Sequence, residues 1–268
     1  MILPTEKRKA VSQNPKFMIL AGKPKSGKST FVASLEDCLC IDLEQGYKNI
    51  DAMVVEANTI EEYFEIVKAC QEKAKQNGGI AYDKIVIDNS TRLETLCLKY
   101  AAKLYRNTSM GQTFGILKDN SGRPVIDPVT KKPKFDENAD VRLLPNGAGW
   151  GYIRQAITQM VDFFRPLCNT VILVCHLKFK TIKRDDTEVE AADIDLAGKT
   201  GTIMCGLADA IGLIYREGNK TYLDFNGGDD ILKGARPLHL RNRKFVIMES
   251  DDNGDLKIDS SKIFLKDE

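Results

Sequence analysis

The sequence predicts an α/β fold: a central, mostly parallel sheet flanked by helices, with an antiparallel extension at the C-terminal end. Three observations point there. Apolar strand-like runs alternate with amphipathic helix-like stretches over most of the 268 residues, the βαβ rhythm of a parallel sheet covered on both faces. A glycine-rich segment, Ala21-Gly22-Lys23-Pro24-Lys25-Ser26-Gly27-Lys28-Ser29-Thr30, stands between the apolar run Phe17-Met18-Ile19-Leu20 and a helix-like stretch. Late in the chain, Glu217-Gly218-Asn219 separates two strand-like runs in the manner of a hairpin turn.

Taken in order, Lys28 to Asp37 reads as the first helix and Cys38 to Leu43 as a strand. Met53 to Glu56 reads as a short strand. Ile60 to Gln76 reads as a helix, apolar at 60, 63, 64, 67 and 70 and closed by Asn77-Gly78-Gly79. Lys84 to Asp88 is an apolar strand ended by an acid, and Thr91 to Tyr105 a further helix. Residues 106–149 break the pattern with Pro124, Pro128, Pro133 and Pro145 and with Gly111, Gly115, Gly122 and Gly147. An irregular insertion is expected there, hairpin-like or partly disordered. Regularity returns with a helix from Tyr152 to Phe164 and a strand from Thr170 to Cys175. A polar loop from Lys178 to Thr200 follows, then strands Ala208 to Tyr215 and Lys220 to Phe225 and a last strand-like stretch, Leu238 to Met248. The domain reading is an N-terminal arm at 1–15, a core at 16–249 that contains the 106–149 insertion and a loop at 177–202, and a charged, loosely held tail at 250–268.

Composition narrows the function classes. The 39 Lys and Arg nearly cancel the 38 Asp and Glu, for a net charge of +1, so a polyanion-binding tail is not indicated and any nucleic-acid surface must come from local clustering. No stretch approaches the roughly 18 consecutive apolar residues of a membrane span, and the N-terminal charges have no apolar run behind them. A soluble protein that is not exported is the expectation. The seven cysteines lie mostly in apolar runs without a C-x-x-C pair, and His176 and His239 are the only histidines. That argues against structural zinc and for a reducing compartment.

Gly22 to Ser29 has the spacing G-x-x-x-x-G-K-S of the Walker A phosphate loop. A triphosphate must be enclosed without side-chain bulk, so Gly22 and Gly27 let the backbone curl its N–H groups inward. Lys28 can reach the β- and γ-phosphates, Ser29 can ligate Mg²⁺, and the next helix offers its positive end. Pro24, lacking an N–H, belongs where the loop turns away from phosphate. The nucleotide-binding set is thus Gly22, Lys23, Pro24, Lys25, Ser26, Gly27, Lys28, Ser29 and Thr30, with Mg²⁺ and a nucleoside triphosphate, ATP or GTP, as expected cofactors.

Phosphoryl transfer to water further needs a metal-holding acid and a group that handles the water. Asp88, after Ile85-Val86-Ile87, has the form of a Walker B aspartate holding Mg²⁺ together with Ser29, although an apolar strand ending in Asp is common. Glu44, at the end of Cys40-Ile41-Asp42-Leu43-Glu44, can approach the γ-phosphate water because parallel strand C-termini face one crevice; a solvated acid after a strand would read the same way. His176, closing Val171 to Cys175, fits either a γ-phosphate contact or a hydrogen-bonded core histidine.

Together these residues resemble a RecA-superfamily ATPase core from about Lys16 to Met248. Ile41-Asp42-Leu43-Glu44 is similar to that superfamily's strand ending in the catalytic glutamate, Ile85 to Asp88 with Asn89-Ser90 to its Walker B strand, and His176 stands where it carries a polar γ-phosphate sensor. The resemblance implies that the segment after the sensor contacts single-stranded DNA. Here that segment holds Lys178, Phe179, Lys180, Lys183 and Arg184, cations for phosphates and a ring for a base, with Asp185, Asp186, Glu188 and Glu190 directly behind. A solvated flexible loop is the plain alternative. Leu196-Ala197-Gly198-Lys199-Thr200-Gly201, before an apolar strand, resembles the small core-only ATPases with which bacteriophages carry out single-strand annealing and recombination. Arg241-Asn242-Arg243-Lys244-Phe245 is similar to the element that reaches a neighbouring subunit's nucleotide in related branches, with Arg for Lys first and Lys244 inserted. Arg241 and Arg243 would then act in trans; an ordinary basic strand edge is the alternative.

The resemblance implies an ATP-hydrolysing homo-oligomer, ring or filament, that binds single-stranded DNA in the cytoplasm of a bacterial or phage-infected cell, with a single-strand DNA-binding protein as a candidate partner and no membrane. Two other classes stay open: a P-loop kinase of a small metabolite with 106–149 as its lid, and a regulatory ATPase that assembles on protein partners. Trp150, the only tryptophan, reads as a core anchor or a stacking platform for DNA.

Overall fold

The computed structural model describes residues 5–7, 13–184, 187–228 and 232–266; the side chains of Lys180 and of 182–190 lie outside that description. Six strands run parallel at its centre: β1 (Phe17–Ala21), β2 (Cys38–Asp42), β3 (Val54–Glu56), β4 (Tyr82–Asp88), β5 (Cys168–Cys175) and, after a β6 (Leu177–Arg184) and β7 (Thr187–Ile194) pair of their own, β8 (Ala210–Glu217). The sheet continues antiparallel with β9 (Lys220–Asp224), β10 (Gly234–Ala235), β11 (Lys244–Ser250) and β12 (Leu256–Ile258). Its order is β12-β11-β9-β8-β1-β5-β4-β2-β3, with β10 added to β8. The fold class is the one the sequence predicts.

Strict alternation of side chains places a core on each face of this sheet. Phe17, Ile19, Ile85, Ile87, Val171 and Leu173 point to one face; Met18, Leu20, Val86, Ile172 and Val174 point to the other. The first face is covered by α2 (Ile60–Gln76), α3 (Ser90–Arg106) and α4 (Gly149–Asp162), the second by α1 (Lys28–Ala33) and the C-terminal strands. Burying a ring such as Phe164, which meets Tyr63 edge-on at 5.6 Å, stabilises the fold by roughly 1.5–3 kcal/mol. Thr59 and Glu62 form a reciprocal capping box at the start of α2, and Asn89 caps α3 by accepting from Arg92 N.

Register places the working ends of the strands side by side. Ala21 pairs with Cys175, Val174 with Asp88, and Asp88 with Asp42. Gly22, His176, Asn89 and Leu43 therefore leave the sheet along one rim. β5 lies between the strand that feeds the phosphate loop and the strand that ends in Asp88.

Several elements differ from expectation. The first helix stops at Ala33, where Ser34 Oγ bonds Phe31 O at 2.7 Å and Asp37 takes a left-handed conformation. The polar stretch after Lys178 is an antiparallel hairpin, β6–β7, rather than a loop. A helix, α5 (Thr200–Leu207), begins at the end of the Leu196–Gly201 segment and lies before the apolar strand that the segment precedes. The expected strand at Leu238 begins only at Lys244, because Leu240 and Arg241 N–H groups both turn back to Pro237 O.

In the insertion, hairpin-like pairing is reduced to bridges such as Ile116 with Phe135 and Lys118 with Pro124, while Asp119 and Asp127 side chains bond their own turns. Helix α4 starts at Gly149, where a Cβ would stand 1.7 Å from Val141 O, and Trp150, partly buried, packs on the core. The tail is anchored: β12 extends the sheet, Ile263 and Phe264 are buried, and Asn14 exchanges two hydrogen bonds with Leu265.

Candidate active site

The phosphate loop is shaped by glycines that other residues could not replace. Gly27 has φ 94°, and a Cβ there would stand 2.6 Å from Met248 Cε; at Gly22 it would meet Ile214 O at 2.5 Å. The loop thus sits on β8 and β11, and its first amide, Gly22 N, bonds Cys175 O at 3.2 Å. Lys28 is buried, with Nζ donating to Gly22 O (2.9 Å) and Lys23 O (2.8 Å). Burial holds its pKa below the usual lysine value, opposed by the charges of Asp88 and Glu44. Ser26 Oγ is buried without a hydrogen-bond partner among the described residues. A cation, an unpaired hydroxyl and glycine-permitted backbone in one loop fit a phosphate chain.

Ser29 Oγ donates to Asp88 Oδ2 at 2.8 Å. Tyr47 OH donates to the same oxygen, also at 2.8 Å. Burial raises the pKa of Asp88 above the ordinary carboxylate value, and the bonds from Ser29 and Tyr47 and the charge of Lys28 pull it back. Burial, then the Asp88 charge, raises that of Tyr47, so the phenol stays a donor. A hydroxyl and a carboxylate oxygen in contact are a hard-oxygen donor set of the kind Mg²⁺ takes, with water completing its shell.

Asp42 shapes the turn after β2: its Oδ1 accepts from Glu44 N at 2.9 Å and its Oδ2 from Tyr47 N at 3.2 Å, and Gln45 between them is left-handed. Glu44 is exposed, with Oε2 4.0 Å from His176 Nε2. His176 Nε2 lies 3.0 Å from Asn89 Nδ2. Because Asn89 Oδ1 is committed to Arg92 N, Asn89 presents its NH₂, so Nε2 accepts and the imidazole proton resides on Nδ1. Nδ1 is buried with no partner among the described residues. His176 is thus held by Asn89, not by Glu44.

The hairpin starts at once after His176, whose O accepts from Asp195 N across its base, and α3 holds that base: Glu94 accepts from Ala197 N, and Thr91 Oγ1 donates to Asp195 O. Lys178 Nζ is bonded to Leu196 O, so this cation is tied into the hairpin's own base. Phe179, 44% exposed, has Lys23 Nζ of the phosphate loop 5.0 Å from its ring centre. The side chains of Lys180, Lys183 and Arg184 lie outside the described ones; backbone register sets Lys178 opposite Asp193 and Lys183 opposite Glu188.

Arg241 and Arg243 are exposed in the turn before β11. Arg241 Nη2 bonds Arg236 O at 2.8 Å, and no described contact joins either arginine to the strand tips of its own chain. The structure therefore brings together Lys28, Ser29, Asp88, Glu44 and His176 and leaves the two arginines apart. Sequence reasoning missed Asp42, Tyr47 and Asn89. Asn89 had a signal, an Asn directly before a helix; Tyr47 had none, since its partner Asp88 is 41 residues away.

A family model described as an AAA domain matches residues 14–237. The chain belongs to that family. The match takes in the phosphate loop, all the strand tips and the β6–β7 hairpin of this AAA-domain protein. Among solved structures, one titled as the crystal structure of the RadB recombinase is similar to it, at 10% identity and a TM-score of 0.44 over 90% of each chain. No curated protein matches the sequence. Among the described residues no helix of this AAA-domain protein is long and apolar enough to cross a membrane.

Proposed function

We propose that this AAA-domain protein hydrolyses ATP with Mg²⁺ and binds single-stranded DNA through the β6–β7 hairpin, in the service of strand annealing or recombination. The observation that carries the reading is the rim of the sheet: Ser29 of the phosphate loop bonds Asp88 at the end of β4, His176 stands at the tip of β5, the strand between that loop's β1 and β4, and Glu44 beyond β2 comes within 4.0 Å of it.

Gly22 to Thr30 bind the phosphates, with Lys28 exchanging its two loop carbonyls for phosphate oxygens and Ser26 supplying an unpaired hydroxyl. Ser29 and Asp88 hold the metal, which when bound neutralises charge on the phosphoryl oxygens. Glu44, exposed and fixed at its backbone by Asp42, orients and deprotonates the attacking water. His176 senses the γ-phosphate and passes its presence to the hairpin, whose first residue is its neighbour. Arg241 and Arg243, apart from the site on their own chain and exposed, are placed to serve a neighbouring copy in a ring or filament. The Leu196 to Gly201 segment supports kinship with the recombination ATPases of bacteriophages.

Transfer to water is favoured over transfer to a small metabolite because no hydrogen bond, ion pair or ring contact among the described residues joins the insertion to the phosphate loop. The cavities it borders are lined by Glu61, Lys99, Arg106, Asp136 and Glu137 over α2 and α3, or by Leu117, Asp127 and Lys134 within the insertion itself. The test is a gel-shift titration with single-stranded oligonucleotides, with and without ATP. ATP-dependent binding that weakens on substitution of Lys180 and Lys183 supports the reading; binding indifferent to both refutes its DNA half.

A further inference from the structure

Tyr47 is buried at 5% exposure and has no part in the roles just assigned. Its ring packs in the apolar cluster that α1 and the C-terminal strands share, a task that phenylalanine would perform as well. The hydroxyl is the feature that calls for a reason. It donates to Asp88 Oδ2 at 2.8 Å and has the Cys40 thiol as its other neighbour. Its backbone N–H is bonded to Asp42 Oδ2, and the other oxygen of that carboxylate holds Glu44 N. One side chain thus joins two places that the nucleotide-site reading treats separately, the metal-holding carboxylate and the turn that carries the water-handling glutamate.

We propose that Tyr47 is a positioning residue that fixes the orientation of Asp88 for the metal and ties the Glu44 turn to the occupancy of that site. The inference rests on the assignment of Asp88 and Ser29 to Mg²⁺. Asp88 Oδ2 receives two donors, Ser29 and Tyr47. A serine oxygen given to a metal no longer bonds the carboxylate, and Tyr47 is then the donor left on Oδ2 among the described residues. A charge-assisted bond of this kind, buried, holds one rotamer of Asp88 and leaves the other oxygen, Oδ1, for the metal's water shell. Because the phenol and the Glu44 amide hang on the same six-residue turn, ordering Asp88 also orders Glu44.

The test compares wild type with Tyr47→Phe, which keeps the ring, in two measurements. The first is binding of a fluorescent ATP analogue, titrated with Mg²⁺ from an EDTA baseline. The metal-free affinity stays within about twofold of wild type, and the half-saturating Mg²⁺ concentration rises roughly tenfold, the effect of losing one hydrogen bond to a charged group. The second is amide hydrogen exchange over residues 43–47, which Mg²⁺ slows in nucleotide-bound wild type and leaves unchanged in the variant. A folded Tyr47→Phe protein with the wild-type Mg²⁺ midpoint and wild-type exchange overturns the inference, whatever its melting temperature. If the wild type itself shows no Mg²⁺ effect on nucleotide binding, the metal-site assignment fails first and the inference falls with it.

Discussion

The strand tips and the β6–β7 hairpin meet at His176 and Leu177, yet they hold their charges in opposite ways. At the tips, Lys28, Asp88 and Tyr47 are buried and their side chains are aimed by named partners: Lys28 on two carbonyls, Asp88 Oδ2 under two hydroxyls, Asn89 split between Arg92 and His176. In the hairpin, cations face acids across the strands, and Phe179 lies open under a lysine from the phosphate loop. A preorganised, desolvated cluster suits chemistry, where small displacements are costly. A ribbon that pairs cations with acids in register suits a partner recognised by charge. The contact between Lys23 and Phe179 is where the two regions touch directly, and Lys23 O is one of the two carbonyls that hold Lys28.

This contrast can be broken at either end. The largest effect is expected from Lys28→Ala: ATP binding and turnover fall by more than about a hundredfold, read by nucleotide titration and phosphate release, while the hairpin keeps whatever DNA affinity it has without nucleotide. Next, Phe179→Ala lowers affinity for single-stranded DNA by about tenfold, the worth of one base–aromatic stack, with nucleotide affinity nearly unchanged. Fluorescence anisotropy of a labelled oligonucleotide checks it. A smaller change comes from Lys183→Ala, which weakens DNA binding a fewfold and lowers the slope of log affinity against log salt by about one.

The smallest effect is on stability and concerns the tips. Burial raises the pKa of Asp88 in the folded state above the ordinary carboxylate value. A carboxylate with a raised folded pKa favours the fold below its unfolded pKa, and that contribution is lost as pH rises through the folded value. Near neutral pH, then, metal-free wild type carries the cost of a buried carboxylate, and Asp88→Asn melts higher in EDTA, by about 2–4 °C for each kcal/mol relieved. The gap closes on acidification. Melting curves at a series of pH values decide it.

Much of the tip region is legible from sequence because phosphate chemistry demands particular residue types at fixed spacing, and because doubly buried parallel strands such as Ile85-Val86-Ile87 read as unbroken apolar runs. The hairpin is not. Lys178-Phe179-Lys180-Thr181-Ile182-Lys183 and Thr187-Glu188-Val189-Glu190 contain β-favouring residues, but a two-stranded ribbon buries neither face fully, so its charges read as loop. The early stop of α1 turns on one serine bonding back to Phe31 O, a local competition that helical periodicity does not register. The anchoring of the tail and the Tyr47–Asp88 bond depend on residues far apart in the chain, 251 positions in the case of Asn14 and Leu265, and no local pattern encodes such a distance.

The central claim is that Glu44 at the tip of β2 activates water against a triphosphate gripped by Lys28. Phosphate release from ATP by wild type and Glu44→Gln, each with nucleotide affinity measured in parallel, tests it most directly. The account predicts near-equal affinities and a turnover at least about a hundredfold lower in the variant. A variant that hydrolyses ATP at the wild-type rate, or a wild type no faster than Lys28→Ala, would contradict it.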